Sequence, residues 1–225
     1  MPSLHPDFFD QTAESLAIAL LGTILRRRVQ TSKGPVWLAA RIIETEAYYR
    51  DERGSHSSLG YTEKRRAMFM PPGTIYMYYA RGGDSLNFSA AGDGNGVLIK
   101  SAFPHVDPLS PAENLVVMQR LNPGSQAPRP AARLCNGQTL LCKSLDLKVP
   151  DWNQRQLKQN EFRLEAAQQA SLDYIQCPRL GIPVGRDHEL PYRFVEAAFS
   201  AYATKNPLTC RGWREGIDYR RLQRN

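Results

Sequence analysis

The order of apolar and polar positions divides the chain into a series of elements. "TAESLAIALLGTILRRR" (12–28) places Leu16, Ala19, Leu20 and Ile24 at helical spacing and predicts an amphipathic helix. Thr12 suits its N-cap, with Ser15 at the capping-box position. Arg26, Arg27 and Arg28 then fall at its C-terminal end, where cations oppose the helix dipole. "KGP" breaks the chain, and "VWLAARIIETEAYY" (36–49) reads as a strand. Residues 50–62 are polar and contain Gly and Ser, hence loop. "TIYMYYA" (74–80), "LNFSA" (86–90) and "VLIKSAF" (97–103) are joined by "RGGDS" and "GDGNG", a meander of three strands. "PAENLVVMQRL" (111–121) predicts a helix with Pro in its first turn, and "GQTLLCKSLDL" (137–147) a shorter one. Between them "NPGSQAPRPAAR" is a Pro-rich loop. "EFRLEAA", "LDYIQCPRLGI" and "PYRFVEAA" predict further strands, and an arginine-rich tail follows. Clustered strands with separate helices define the α+β class. The expected architecture is a single domain with a central, mainly antiparallel sheet and surrounding helices.

Charge narrows the partners. Across 225 residues, 29 Lys+Arg against 22 Asp+Glu give +7. An excess of this sign favours polyanions such as nucleic acid. No apolar run approaches the roughly 20 residues of a membrane helix, and the N-terminus lacks the pattern of a signal peptide, so a cytoplasmic chain is expected. Cys135, Cys142, Cys177 and Cys210 show no CxxC spacing, which predicts reduced thiols rather than zinc or redox chemistry.

The unusual stretch is "IIETEAYYRDERGSHS" (42–57), where a hydrophobic strand ends in Glu44, Glu46, Tyr48 and Tyr49, with His56 beyond. Strand periodicity puts Ile42, Glu44, Glu46 and Tyr48 on one face, the carboxylates roughly 7 Å apart. That distance falls within the glycosidase range, although carboxylates two apart on one strand flank a scissile bond poorly. Solvated glutamates are the plainer alternative. A metal site from Glu44, Glu46 and His56 lacks H-x-H or H-E-x-x-H support, and no G-x-S-x-G marks a serine hydrolase. "GDGNG" lacks the helix of a P-loop and the ligand spacing of an EF-hand, so it reads as a hairpin turn. Aromatic density is more telling. Tyr48, Tyr49, Tyr76, Tyr78 and Tyr79 crowd two strands, with Tyr76 and Tyr78 on one face and Tyr79 on the other. Tyrosines beside a carboxylate on a basic protein suit recognition of one extruded base.

Five ordered blocks carry a resemblance: "ARIIETEAYY…SHS", "RAMFMPPGTIYMYY", "LNFSAAGDGNGVLIKSA", "LCNGQTLLCKSL" and "PRLGI" followed by "PYRF". From about residue 7 to 195 the sequence resembles the alkyladenine (3-methyladenine) DNA glycosylase family. The resemblance implies a monomeric, cofactor-free and metal-free enzyme that flips an alkylated purine out of double-stranded DNA and hydrolyses its N-glycosidic bond. It implies that Glu46 activates the attacking water. Tyr48, His56 and Tyr78 would stack on the base, and Asn87 would narrow the pocket floor against a normal guanine. Glu44 is expected to be structural. The segment between Tyr78 and Asn87 is about one residue shorter than in the family. The family's gap-filling tyrosine therefore falls near Arg81, with Tyr79 an alternative wedge. Lys100 stands where the family usually has Arg, as a support of the site. Lys64, Arg65, Arg66 and tail arginines are expected to meet phosphates. The expected division is a glycosylase domain over 1–195 and a basic C-terminal extension over 196–225 packed on it. Other readings are a non-catalytic damaged-DNA-binding protein that keeps the pocket, and a nucleoside hydrolase. Schiff-base chemistry on Pro2, once Met1 is removed, or on Lys100 is a further alternative.

Overall fold

The computed structural model describes residues 4–166 and 171–225. The Pro2 alternative and Ala167, the last residue of "EFRLEAA", lie outside them. Among the described residues nine strands form one sheet: β1 (Ile24–Thr31), β2 (Gly34–Tyr48), β3 (Ile75–Ala80), β4 (Gly83–Ser89), β5 (Gly96–Pro104), β6 (Phe162–Glu165), β7 (Leu172–Cys177), β8 (Arg193–Glu196) and β9 (Arg220–Arg224). The order is β3-β4-β5-β2-β8-β7-β9, with β1 pairing both β2 and β6. Every pairing among these strands is antiparallel. Among the same residues four α-helices accompany the sheet: α1 (Ala13–Leu20), α2 (Leu115–Leu121), α3 (Gln138–Ser144) and α4 (Val149–Trp152). The fold is α+β, as the patterning predicts, and β3-β4-β5 is the expected meander.

The first predicted helix is half helix and half strand. Thr12 caps α1 by accepting from the Ser15 N–H. The helix ends at Leu20, and Gly22 (φ +80°) turns the chain into β1. Arg26, Arg27 and Arg28 therefore lie in a strand and not at a helix terminus. Arg26 is buried, its guanidinium fork bonded to both Glu165 oxygens at 2.8 and 2.9 Å, with Asp107 and Ser110 taking its remaining donors. The helical spacing of Leu20 and Ile24 was a coincidence of sequence, overridden by this long-range pairing. "PYRFVEAA" likewise divides between β8 and a 3-10 helix (Ala197–Tyr202), and Pro178–Ile182 forms no strand.

The long strand β2 positions everything else. Leu38, Ala40 and Ile42 pack into the main core; beyond them the core residues are Ala47 and, through a hydroxyl bond to the Ala17 carbonyl of α1, Thr45. On β5 the core residues are Val97 and Ile99, then Ala102. Alternation breaks on both strands at one place, where the β2–β5 register shifts between Ile42 and Thr45. This bulge moves Ile42 to the face opposite Glu44 and Glu46, so the predicted same-face set Ile42, Glu44, Glu46 and Tyr48 loses its first member. Helix α1 packs on the core face. The other face carries the carboxylates.

Glu44 is one of two fully buried partners. Its Oε1 accepts from Arg193 Nε at 2.6 Å, and its Oε2 accepts from the Thr204 N–H at 2.8 Å. Neither side chain has exposed surface. Removing one partner of such a pair strands a charge in a dry sheet. Glu44→Leu is expected to lower unfolding free energy by about 3–5 kcal/mol, and Glu44→Leu/Arg193→Met to recover most of it, read from urea unfolding midpoints.

Candidate active site

A cavity of about 390 Å³ opens on the carboxylate face of the sheet. That volume lies within the range of pockets that enclose a small ligand. Tyr48, His56, Tyr78, Asn87 and Lys100 all line it, joined by Tyr76, Gln138, Leu180 and others. Thus five of the residues singled out in the sequence meet in one place. Arg81 does not. It sits exposed in the two-residue turn between β3 and β4, beside Tyr79, which is 68% exposed.

Glu46 stands just behind the cavity wall. It has no exposed surface. Its Oε2 accepts from the Tyr48 hydroxyl at 2.8 Å, and its Oε1 accepts from the Leu180 N–H at 3.1 Å. Lys100 Nζ lies 3.4 Å from the same Oε1. Tyr48 and Lys100 are therefore the two cavity-lining side chains that touch the carboxylate. The β5 irregularity explains Lys100: it falls at the register shift, between the core residues Ile99 and Ala102. Burial, then the neighbouring Glu46 charge, pushes the Tyr48 phenol well above its usual pKa, so it stays a donor.

Aromatic side chains make the walls. His56 and Tyr78 meet edge to face with centroids 4.4 Å apart, and Tyr76 lies 5.5 Å from Tyr78. The His56 Nδ1 and Tyr76 hydroxyl are 3.2 Å apart. Asn87 donates from Nδ2 to the Tyr76 carbonyl at 3.0 Å, which fixes its amide. Burial, together with Arg65 and Arg186, lowers the His56 pKa. The histidine is therefore neutral at pH 7, and its ring can approach a cation without repulsion.

Sequence reasoning missed the part of the site behind Tyr48. Arg179 is buried, with its guanidinium 4.5 Å from the Tyr48 ring centroid. It donates to the Ala47 carbonyl at 2.8 Å and pairs with Glu52. Glu52 in turn accepts from the Tyr49 N–H at 2.9 Å. Arg179 thereby ties the end of β2 to the loop that delivers His56. Gly54 lets that loop close, because a Cβ there would meet the Arg186 carbonyl at 3.1 Å. The "PRLGI" block contains Arg179, but nothing in its spacing indicates a partner in residues 47–52. Among the described residues no three His, Cys, Asp or Glu side chains are grouped to hold a metal ion.

By its relatives the chain is in the class of DNA glycosylases, hydrolases of DNA repair. The chain belongs to the methylpurine-DNA glycosylase family, whose model matches residues 7–199. It is 58% identical over 221 residues to a Pseudomonas savastanoi pv. phaseolicola protein provisionally named a 3-methyladenine DNA glycosylase, covering 97% of each chain. A Pseudomonas aeruginosa protein of the same provisional name is 56% identical over 219 residues, 96% of this chain and 90% of that one. The rat DNA-3-methyladenine glycosylase is 38% identical over 167 residues, 70% of this chain and 49% of the rat protein. No helix among the described residues is long and apolar enough to cross a membrane.

The lowered His56 pKa has a sign that can be checked. The unfolded chain, with its histidine near 6.5, binds more protons than the folded one just below that pH. Stability should therefore fall as pH drops through 6.5 and level off below the folded value. His105, also lowered by burial, contributes in the same direction. His56→Gln is expected to flatten part of this fall, leaving the His105 share, in urea melts compared at pH 7.5, 6.5 and 5.

Proposed function

We propose that the protein excises alkylated purines from double-stranded DNA by hydrolysing the N-glycosidic bond of a flipped nucleotide. One observation carries this reading: a fully buried Glu46, gripped by Tyr48, Leu180 and Lys100, directly behind an aromatic cavity of base-binding size.

A 3- or 7-alkylated purine is already cationic. Tyr48, Tyr78 and a neutral His56 offer aromatic faces to that charge, each good contact worth roughly 0.5–2 kcal/mol. As the base leaves, the sugar carbon becomes oxocarbenium-like, and the Glu46 carboxylate offsets the developing charge. A carboxylate has about four acceptor sites. Tyr48 and the Leu180 N–H occupy two, Lys100 stands at ion-pair distance, and a remaining site would take the water. That water attacks the sugar carbon and gives its proton to Glu46, while the glycosidic electron pair leaves with the base and neutralises it. No second acid is needed for a cationic leaving group, which agrees with Glu44 being committed to Arg193. Lys100 carries three donors as a point charge, so it can hold Glu46 and orient the water without the fork an arginine would supply. Asn87, held by the Tyr76 carbonyl, narrows the pocket against the exocyclic amino group of normal guanine. Arg81 and Tyr79 protrude from the β3–β4 turn as the candidates to fill the gap in the duplex. Arg65 and Arg186 at the cavity, and Lys64 and Arg66 nearby, contact phosphates.

The test is release of free base from duplex DNA carrying 7-methylguanine or 3-methyladenine. Glu46→Gln is expected to slow release by about 10²–10⁴-fold with lesion binding retained. Tight lesion binding without release by the wild type would favour a binding module instead. Asn87→Ala should raise release of undamaged guanine relative to 7-methylguanine, measured by chromatography of freed bases.

A further inference from the structure

The family match stops at residue 199, yet the chain beyond it is built into the same face as the site. Ala203 packs with Val195 and Ile175, and Leu208 and Tyr219 close over them. Val195 lies opposite Glu44 in the β2–β8 pairing, so this cluster covers the carboxylate face of the sheet. Thr204 is fixed at both ends. Its N–H donates to Glu44, and its hydroxyl is 3.0 Å from that of Ser101, next to the cavity residue Lys100. The Lys205 carbonyl accepts from Arg193 at 2.5 Å. The Asn136 amide donates to the Tyr202 and Ala203 carbonyls, two residues before the cavity residue Gln138. The buried Glu44–Arg193 pair therefore bolts residues 203–205 to the edge of the pocket.

What this segment presents to solvent is cationic. Residues 196–225 hold one lysine and five arginines against two glutamates and one aspartate, a net +3 of the chain's +7. Lys205, Arg211 and Arg214 are exposed. Lys205 lies 5.8 Å from the centroid of the Trp213 ring. Lys205 and Arg211 make no ion pair among the described residues, and Arg214 has only a 3.7 Å contact with Asp218. The segment is anchored at Ser101 on β5 through Thr204 and at Ile175 on β7 through Leu208 and Tyr219, with β2 and β8 between. Three strand spacings make roughly 14 Å, a length along which one DNA strand presents about four phosphates.

We propose that residues 204–214 form a second backbone-contact surface, in which Lys205, Arg211 and Arg214 engage phosphates of the same duplex whose base enters the pocket. The proposal rests on the DNA-binding part of the reading above. Its role is sequence-independent grip, since phosphate contacts position a protein without reading bases.

The experiment measures affinity by fluorescence anisotropy for an undamaged and a 7-methylguanine duplex between 50 and 200 mM salt. The variant K205Q/R211Q/R214Q is expected to lose affinity equally for both duplexes. Its slope of log K against log salt should be shallower than the wild type's by roughly 2–3, about 0.9 per lost phosphate contact. The variant R28Q/K33Q/K158Q removes the same charge at the far end of β2 and should keep the wild-type slope. An unchanged slope in K205Q/R211Q/R214Q, or an equal loss in the far-end variant, overturns the proposal. A wild type without salt-dependent duplex binding overturns it together with the DNA reading. A wild type that binds duplex but frees no base overturns the excision reading alone and leaves this measurement decisive.

Discussion

The site depends on a break in alternation. A strand buried on both sides has a period of two, and a shift by one residue sends every following side chain to the other face. Between Ile42 and Thr45 the β2–β5 ladder makes such a shift. Before it, β2 gives Leu38, Ala40 and Ile42 to the core; after it, Ala47 fills that role and Glu44, Glu46 and Tyr48 face the cavity side. On β5 the same irregularity lets Lys100 and Ser101 both serve the carboxylate face. Without it, the strand that is most deeply buried would point its carboxylates into α1. Bulges concentrate beside active sites for this reason.

Three buried carboxylates around the site each have one cation. Glu44 has Arg193, Glu52 has Arg179, and Glu46 has Lys100. In the first two pairs one guanidinium nitrogen meets the carboxylate, and main-chain bonds hold both partners. The third differs: its cation is a lysine at the cavity wall, 13% exposed, with spare donors. A single ammonium thus joins Glu46 to the cavity wall, while the arginine pairs hold the frame around it. Arg179 links the two functions, since it supports the back of Tyr48 and anchors the loop bearing His56.

Much of this was legible in the sequence. The meander β3-β4-β5, the helix capped by Thr12 and the α+β class follow from local patterning, because hairpin turns and caps are local chemistry. The five-block resemblance brought Tyr48, His56, Tyr78, Asn87 and Lys100 together, and they do line one cavity. What failed was long-range. Arg26 read as a helix end because its partner Glu165 lies 139 residues away. The Ile42 to Glu44 parity failed because a bulge is set by two strands and periodicity sees only one. Arg179 went unrecognised because its partners, Ala47 and Glu52, come from the other end of the chain.

Arg224 bears on how the molecule is made. Its guanidinium donates to the carbonyls of Ile18, Ala19 and Leu21 at the end of α1, up to 206 residues earlier. Among the described residues strand β9 joins the sheet through β7 alone, and β8 reaches β2 across 149 residues at Arg193 and Glu44. Such non-local pairing slows folding, since loop closure precedes its reward. On the ribosome the first helix and β2 emerge well before their partners on β8 and β9. The nascent chain therefore cannot complete its pocket until Leu180, 134 residues after Glu46, has been made.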